Sequence, residues 1–332
     1  GLLSARGKLR LFAEPFVRRR GRDDESVRDF FARRLGHEVA ARFVEPFVAG
    51  IFAGDARELA AAAVFPSLTE LECRHGSLLA GAILGRKARR PAAVRPPRGL
   101  LSFRNGLATL PHALATFLGN RLRLNSPARR IERAQSGWKI ITEGGAFEAE
   151  RIFVAAPADA AAALVKSIAP EASAALSAIP SPALAVLHLA WPVEAFAKPP
   201  AGFGYLVVPQ TSRRILGCLW TSSLFPGRAP AGQALLTIYL GGRLDPHAAG
   251  LPDSELVAIA AQDVRAAMGV QGEPRVVALT RWARAIPQYD RGHAARMKVL
   301  ADCEASCPSL AFLGNYRGGV SVGDVVRNAR AG

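Results

Sequence analysis

Four glycines, Gly314, Gly318, Gly319 and Gly323, follow a short apolar run at 311–313 and lead into Asp324 and a helical pattern from Val325. A strand, a glycine turn and a helix, in that order, bring bare backbone N–H groups and the positive start of a helix against an anionic cofactor. Glycine suits the turn because a side chain would block close approach or forbid positive φ. Most two-nucleotide sites place such a turn early in the chain as Gly-x-Gly-x-x-Gly, and that motif occurs nowhere in these 332 residues. Other chemistry-bearing residues form no set. There is no Ser-His-Asp arrangement, the six His are scattered, and no carboxylates pair at a persuasive spacing. Cys303 and Cys307 stand four apart without a His or a second Cys pair, which argues against a metal site. With Cys73 and Cys218 they are too few for a disulfide scaffold, which fits a reducing compartment. A chain without acid–base machinery of its own suits chemistry carried by a cofactor.

The elements that must position this turn change in kind along the chain. Residues 1–98 read as helices. Ser26 caps one, with Asp29 three residues on and Phe30, Phe31, Leu35 and Val39 at helical spacing. Further apolar helical faces fall at 41–47 and 68–84, and Pro91, Pro96 and Pro97 mark a boundary. Residues 107–118 are again helical. Strands are expected at 138–142 and 147–150, joined by a turn at 143–145, and a continuous apolar strand at 152–157 reads as part of a buried parallel sheet. Strands at 183–191, 203–208, 215–221, 234–240 and 276–281 imply an antiparallel sheet with one helix, 253–268, packed on it. A helix at 288–303 leads to the final strand and turn.

Length and composition imply two or three folded domains, half of the residues being apolar. Gly1 is not an initiator Met, and the chain reads as a fragment or a trimmed piece. Net charge is +16 and uneven: between Glu72 and Glu132 there are twelve basic residues and no acidic one. Such a field favours lipid headgroups, nucleic acid or polycarboxylate ligands, unless it is simply a solvated arginine-rich face. The uncharged run 172–193 is broken by Pro180, Pro182 and Pro192, so it reads as a helix end and a strand, and any membrane contact would be peripheral.

Six segments, in order, resemble the protoporphyrinogen oxidase family of flavoenzymes: GKLRL (7–11), EPFVAGIFAGD (45–55), FRNGLATLP (103–111), TSSLFPGRAP (221–230), RAIPQY (284–289) and GNYRGGVSVGD (314–324). The resemblance implies an α+β and α/β chain with the FAD-linked oxidase fold of the monoamine-oxidase and glutathione-reductase-like type, lacking its first βαβ unit. It implies a helical membrane-associated or substrate-entrance domain at 1–98, FAD-binding parts at 99–158 and 283–332, and an α+β substrate domain at 159–282. It further implies FAD as cofactor and six-electron oxidation of a porphyrinogen with O2 in haem synthesis. The remaining implications are a cytoplasmic location at an anionic membrane surface, no nucleic-acid partner, and a homodimer. Without the Gly-x-Gly-x-x-Gly turn, the 332 residues alone are expected to bind FAD weakly.

Carried over position by position, the resemblance places Ala128, Ala155, Ala156, Pro157, Trp282, Ile286, Gly319, Val320, Ser321, Val322, Gly323 and Asp324 at the cofactor. Asp324 would accept from the ribityl chain, and Trp282 and Ile286 would lie near the flavin ring. Gly50, Ala53, Gly54, Phe196, Leu206 and Phe225 would face substrate, since small residues and apolar plates accommodate a flat macrocycle. The arginine that would hold substrate carboxylates has no counterpart among these positions. Rival implications are a flavin-type coproporphyrinogen III oxidase, another amine oxidase or desaturase, and a basic membrane- or nucleic-acid-binding module without activity.

Overall fold

The computed structural model describes residues 2–19, 24–88 and 100–331. The proline boundary expected at 91–97 lies outside the described residues. Among them, no helix is long and apolar enough to cross a membrane.

The first third is helical because its apolar positions recur at three and four residues. Ser26 Oγ accepts the Asp29 N–H (3.1 Å) and donates to its carboxylate (2.8 Å), starting the helix Val27–Leu35. Phe30 and Phe31 are buried, edge to face with ring centroids 5.2 Å apart. A single π-helical turn, Ala40–Val44, runs into the helix Glu45–Phe52. The apolar face expected at 68–84 is two helices, Pro66–His75 and Leu78–Ala88, separated where Gly76 adopts φ +70°. The second is capped from afar. Glu14, fully buried, accepts the N–H groups of Leu78 (2.9 Å) and Leu79 (3.2 Å) and lies 2.8 Å from the equally buried Arg34.

Three sheets follow. Strands β1 (Ala128–Arg133), β2 (Trp138–Thr142) and β3 (Gly145–Ala149) form an antiparallel meander. Strand β4 (Ile152–Val154) pairs in parallel with β10 (Leu310–Phe312). The meander is tied to that pair by the buried Trp138, whose indole N–H donates to Ser309 Oγ (3.0 Å). Between them in sequence comes a five-stranded antiparallel sheet of β5 (Leu184–Pro192), β6 (Gly204–Leu206), β7 (Ile215–Leu219), β8 (Gln233–Gly241) and β9 (Arg275–Trp282), in the order β6-β7-β8-β5-β9.

Period-two alternation divides β5 between two faces. Ala185, Leu187, Leu189 and Trp191 enter a core with Leu256, Ala260 and Val264 of the helix Asp253–Met268. Leu184 and Val186 face the other way, beside Ala49 and Ala53 of the segment around Glu45–Phe52. The sheet is therefore covered by a helix on each face, and the space beneath the helix Glu45–Phe52 is the candidate site.

Candidate flavin and substrate site

The terminal glycine turn follows β10 and is built by neighbours more than by its own residues. Gly318 and Gly319 have φ of +68° and +129°, and a Cβ on Gly319 would overlap the Asp324 carboxylate. Tyr289, 2 % exposed, donates its hydroxyl to the Asn315 carbonyl (2.8 Å) and accepts the Gly319 N–H (3.0 Å). Its ring stacks on His293, centroids 4.0 Å apart. Arg317 pairs with both oxygens of Glu304 (2.6 and 2.8 Å), and Glu304 also accepts the Phe312 N–H (2.8 Å). The turn thus hangs from the helix His293–Ser306 on one side and from Tyr289 on the other.

The helix Val322–Ala331 starts at this turn. Ser321 Oγ accepts the Asp324 N–H (3.1 Å) and donates to its carboxylate (2.6 Å), while Arg327 holds the other oxygen (2.8 Å). The Ser321 hydroxyl and the Arg327 guanidinium outweigh the burial of Asp324 and keep its carboxyl below the usual range. Asp324 is therefore an ionised acceptor with its geometry fixed by its own helix. Val322 and Gly323 are exposed at the positive helix end.

The second half of the site is a cavity of about 610 Å³ between the helix Glu45–Phe52 and the five-stranded sheet. Gly50, Ile51 and Ala53 line one wall. Leu206, Leu216 and Tyr239 line the other, and Ile286 lies at the margin. Among the described residues, the lining carries no charged side chain. Leu206 reaches so close to Gly50 that a Cβ there would overlap its Cδ2. Ala53 ends the helix in the left-handed region, φ +49°, and its carbonyl accepts the Arg243 N–H (2.7 Å). Trp282 pairs with Leu184 across β5 and β9, so both project from the same sheet face. Leu184 lines the cavity, and Trp282 stands half-exposed beside it.

Five of the six quoted segments meet in two groups. The Gln288 amide donates to the carbonyls of Phe52 (2.8 Å) and Ile286 (2.9 Å), joining 284–289 to 45–55. Tyr289 joins the same loop to 314–324. Arg228 donates to Ser102 Oγ (3.1 Å) and to the Phe103 carbonyl (2.9 Å), bringing 221–230 against 103–111. Phe225 sits in that second contact, 5.9 Å from the Arg228 guanidinium, and is not part of the cavity lining. Gly54 lies against Gln288 and Leu59 rather than on the cavity wall. Ala155, Ala156 and Pro157 follow β4 and open the helix Ala158–Val165. Ala128 begins β1 at a register irregularity.

With Phe225 and Gly54, a third residue expected to face substrate is corrected. Phe196 is 5 % exposed, packs edge on to Trp191 and belongs to the core behind the sheet, so it does not face the cavity. An aromatic in the turn after a strand can fall to either face, and here the core claims it. Sequence reasoning missed Tyr289 as the clamp of the glycine turn, although it closes the quoted loop 284–289. It also missed a polar row on the cavity face, in which Thr237 Oγ1 is 2.9 Å from His188 Nδ1 and 2.6 Å from Thr221 Oγ1.

Residues 2–331 match the family described as flavin containing amine oxidoreductase. The chain belongs to that family. The fit is local as well as global. The ionised Asp324 carboxylate packs directly on Gly319 beside an exposed helix start, which suits the flavin and ribityl end of FAD. A chloroplastic protoporphyrinogen oxidase of Oryza sativa is 32 % identical over 92 % of this chain and 62 % of its own length. A coproporphyrinogen III oxidase of Bacillus subtilis is 29 % identical over 100 % of this chain and 71 % of its own. The chain spans about three fifths to seven tenths of the length of the plant relatives it matches. Among solved structures, a candidate protoporphyrinogen oxidase from Exiguobacterium sp. 255-15 superposes with a TM-score of 0.80 at 23 % identity, covering 99 % of this chain and 71 % of that one. A putrescine oxidase variant gives 0.69 at 13 % identity, covering 98 % and 72 %. At those identities the likeness speaks for the fold, which is the expected FAD-linked oxidase type.

Proposed function

We propose that this chain is the substrate-binding and flavin-facing part of an FAD-dependent oxidase acting on protoporphyrinogen IX. The observation that carries the reading is the cavity between the helix Glu45–Phe52 and the five-stranded sheet, whose described lining is uncharged and which lies on the same sheet face as Trp282 and close to Ile286. A large apolar tetrapyrrole needs such plates, and hydrogen-bonding side chains there would be left unpaired. The oxidases named among the relatives agree with it.

Bound FAD supplies two-electron acceptor chemistry, three rounds of which remove six electrons, with O2 as the terminal acceptor. The residues of this chain position and shield. Val322 and Gly323 at the start of the helix Val322–Ala331 offer backbone N–H groups, and Asp324 offers its carboxylate to a ribityl hydroxyl. Leu206, Leu216 and Ile51 hold the macrocycle flat and exclude water. Tyr239, its phenol pushed up first by burial, stays neutral at the cavity wall.

A coproporphyrinogen III oxidase is the second reading, favoured by the Bacillus relative that matches the whole chain. The extra propionates of that substrate would need cations, which the described residues of the lining do not supply. The test is to load the whole oxidase that carries this chain with FAD and offer each porphyrinogen in air, following porphyrin fluorescence. Oxidation of protoporphyrinogen IX ahead of coproporphyrinogen III is expected. Flavin-loaded protein that oxidises neither overturns the reading, and preference for the second substrate replaces it.

A further inference from the structure

Cys303 and Cys307 take no part in the site above, yet their surroundings are built. Cys303 lies near the end of the helix His293–Ser306 and Cys307 caps it, its N–H donating to the Cys303 carbonyl (3.0 Å). Both are partly exposed and line one cleft of about 440 Å³, with Arg133, Glu171 and Asp302. Arg133 lies over the Trp138 ring, 3.9 Å from its centroid, and points Nη2 at Cys307 Sγ, 3.0 Å away. Ser309 Oγ is 3.6 Å from the same sulfur. It already accepts the Trp138 indole N–H, so its own hydrogen is free to donate to Sγ.

A guanidinium that keeps its proton and a hydroxyl donor both favour a thiolate. Burial pushes the Cys307 thiol up, but the hydrogen bonds from Ser309 and Arg133 outweigh it and leave it below the ordinary value. Burial, aided by Cys307 itself, pushes Cys303 the other way. The two thiols are therefore unequal, as an attacking and a resolving thiol must be. Four residues of helix separate Cα atoms by about 6 Å, inside the range of about 4.4–6.8 Å that a disulfide spans. Cys307, with φ −140° and ψ 77°, has left the helix, so its Cβ is not bound to the helical direction.

We propose that Cys303 and Cys307 form a peroxide-sensing dithiol. The Cys307 thiolate attacks a hydroperoxide. An S–O bond forms and the O–O bond breaks, so sulfur is oxidised by two electrons, peroxide is reduced, and hydroxide leaves. The Cys303 thiol gives its proton to that hydroxide and attacks the Cys307 sulfenic sulfur. The S–S bond forms as a second hydroxide departs, which takes up the proton that Cys307 released to solvent on ionising and becomes the second water. One hydrogen peroxide thus converts two thiols to a disulfide and two waters. The proposal rests on the cleft alone and does not depend on the substrate reading.

Reduced protein treated with one equivalent of hydrogen peroxide, then dimedone and iodoacetamide, and digested with trypsin reports both thiols on one peptide, residues 299–317. That peptide is expected two hydrogens lighter and unalkylated, and Cys303→Ser is expected to carry dimedone on Cys307 instead. Without peroxide at pH 7, iodoacetamide should label Cys307 at least tenfold faster than the exposed Cys73. Arg133→Met should remove that advantage and Arg133→Lys retain most of it. The wild-type labelling decides the matter even if a variant folds poorly. Equal labelling of Cys307 and Cys73, or dimedone on Cys307 of the wild-type peptide with Cys303 still free, overturns the proposal.

Discussion

Tyr289 shows how one side chain can hold a cofactor turn. Its hydroxyl is shared between the Asn315 carbonyl and the Gly319 N–H, two groups the turn cannot pair by itself. At about 1 kcal/mol for each neutral hydrogen bond, Tyr289→Phe should lower stability by roughly 2 kcal/mol. A denaturant midpoint that falls at unchanged slope would show it. The same variant should weaken FAD binding about tenfold or more, since the turn at Gly319 is no longer held; unchanged flavin titration would remove Tyr289 from the clamp. His293, stacked on that ring and 4 % exposed, makes the turn acid-sensitive. Burial, helped by the Arg296 guanidinium, pushes its imidazole down to about 4. The unfolded chain binds that proton near pH 6.5 and the folded chain does not, so the stability His293 contributes is present above about 6.5 and is lost as pH falls toward 4. The unfolding midpoint should therefore drop across that window, by at most about 1.4 kcal/mol per pH unit from this group. His293→Phe, which keeps the stack, should flatten the dependence, and an unchanged profile would assign it elsewhere.

At the scale of elements, Gly50 sets the width of the cavity. An added side chain there meets only the flexible end of Leu206, so the fold should tolerate it while Leu206 swings into the cavity. Gly50→Val should leave the thermal midpoint within a few degrees and reduce kcat/KM for the porphyrinogen proposed as substrate by about 10- to 200-fold, the range for a change of one methylene in an apolar pocket. A midpoint that collapses instead would make Gly50 a packing residue only. The elements most legible in the sequence were those whose ends carry their own chemistry. The helix Asp253–Met268 was expected at 253–268, with acids in its first turn and Gly269 in the left-handed region after it. The helix expected from 288 begins instead at His293, because Gln288 and Tyr289 are drawn out by long-range partners, the Phe52 carbonyl and the Ala60 N–H. Local pattern has no record of such partners. It has none either of the π-helical turn Ala40–Val44, or of Glu14 and Arg34, charged residues that pair in the core and look like a solvated face when each is read alone.

For the whole molecule, the unspent features are charge and exposed apolar surface. Net charge is +16, and the acid-free stretch between Glu72 and Glu132 concentrates much of it. Around it the described residues expose large apolar side chains: Leu9, Phe12 and Phe16 near the start, then Leu101, Leu107 and Phe117. Basic residues near an anionic bilayer contribute about 1 kcal/mol each, and exposed apolar side chains add burial in the interface. We therefore expect the protein to sediment with vesicles containing anionic lipid at about 0.1 M salt, where charges act over ~10 Å. It should do so far less with zwitterionic vesicles, and release should be only partial at 1 M salt because the apolar part is unscreened. The basic stretch lacks the aromatic interleaving and motifs of a nucleic-acid surface, so duplex DNA at matched charge should compete poorly in moderate salt. Complete release by salt would reduce the contact to charge alone, and capture by DNA in preference to lipid would overturn the membrane reading.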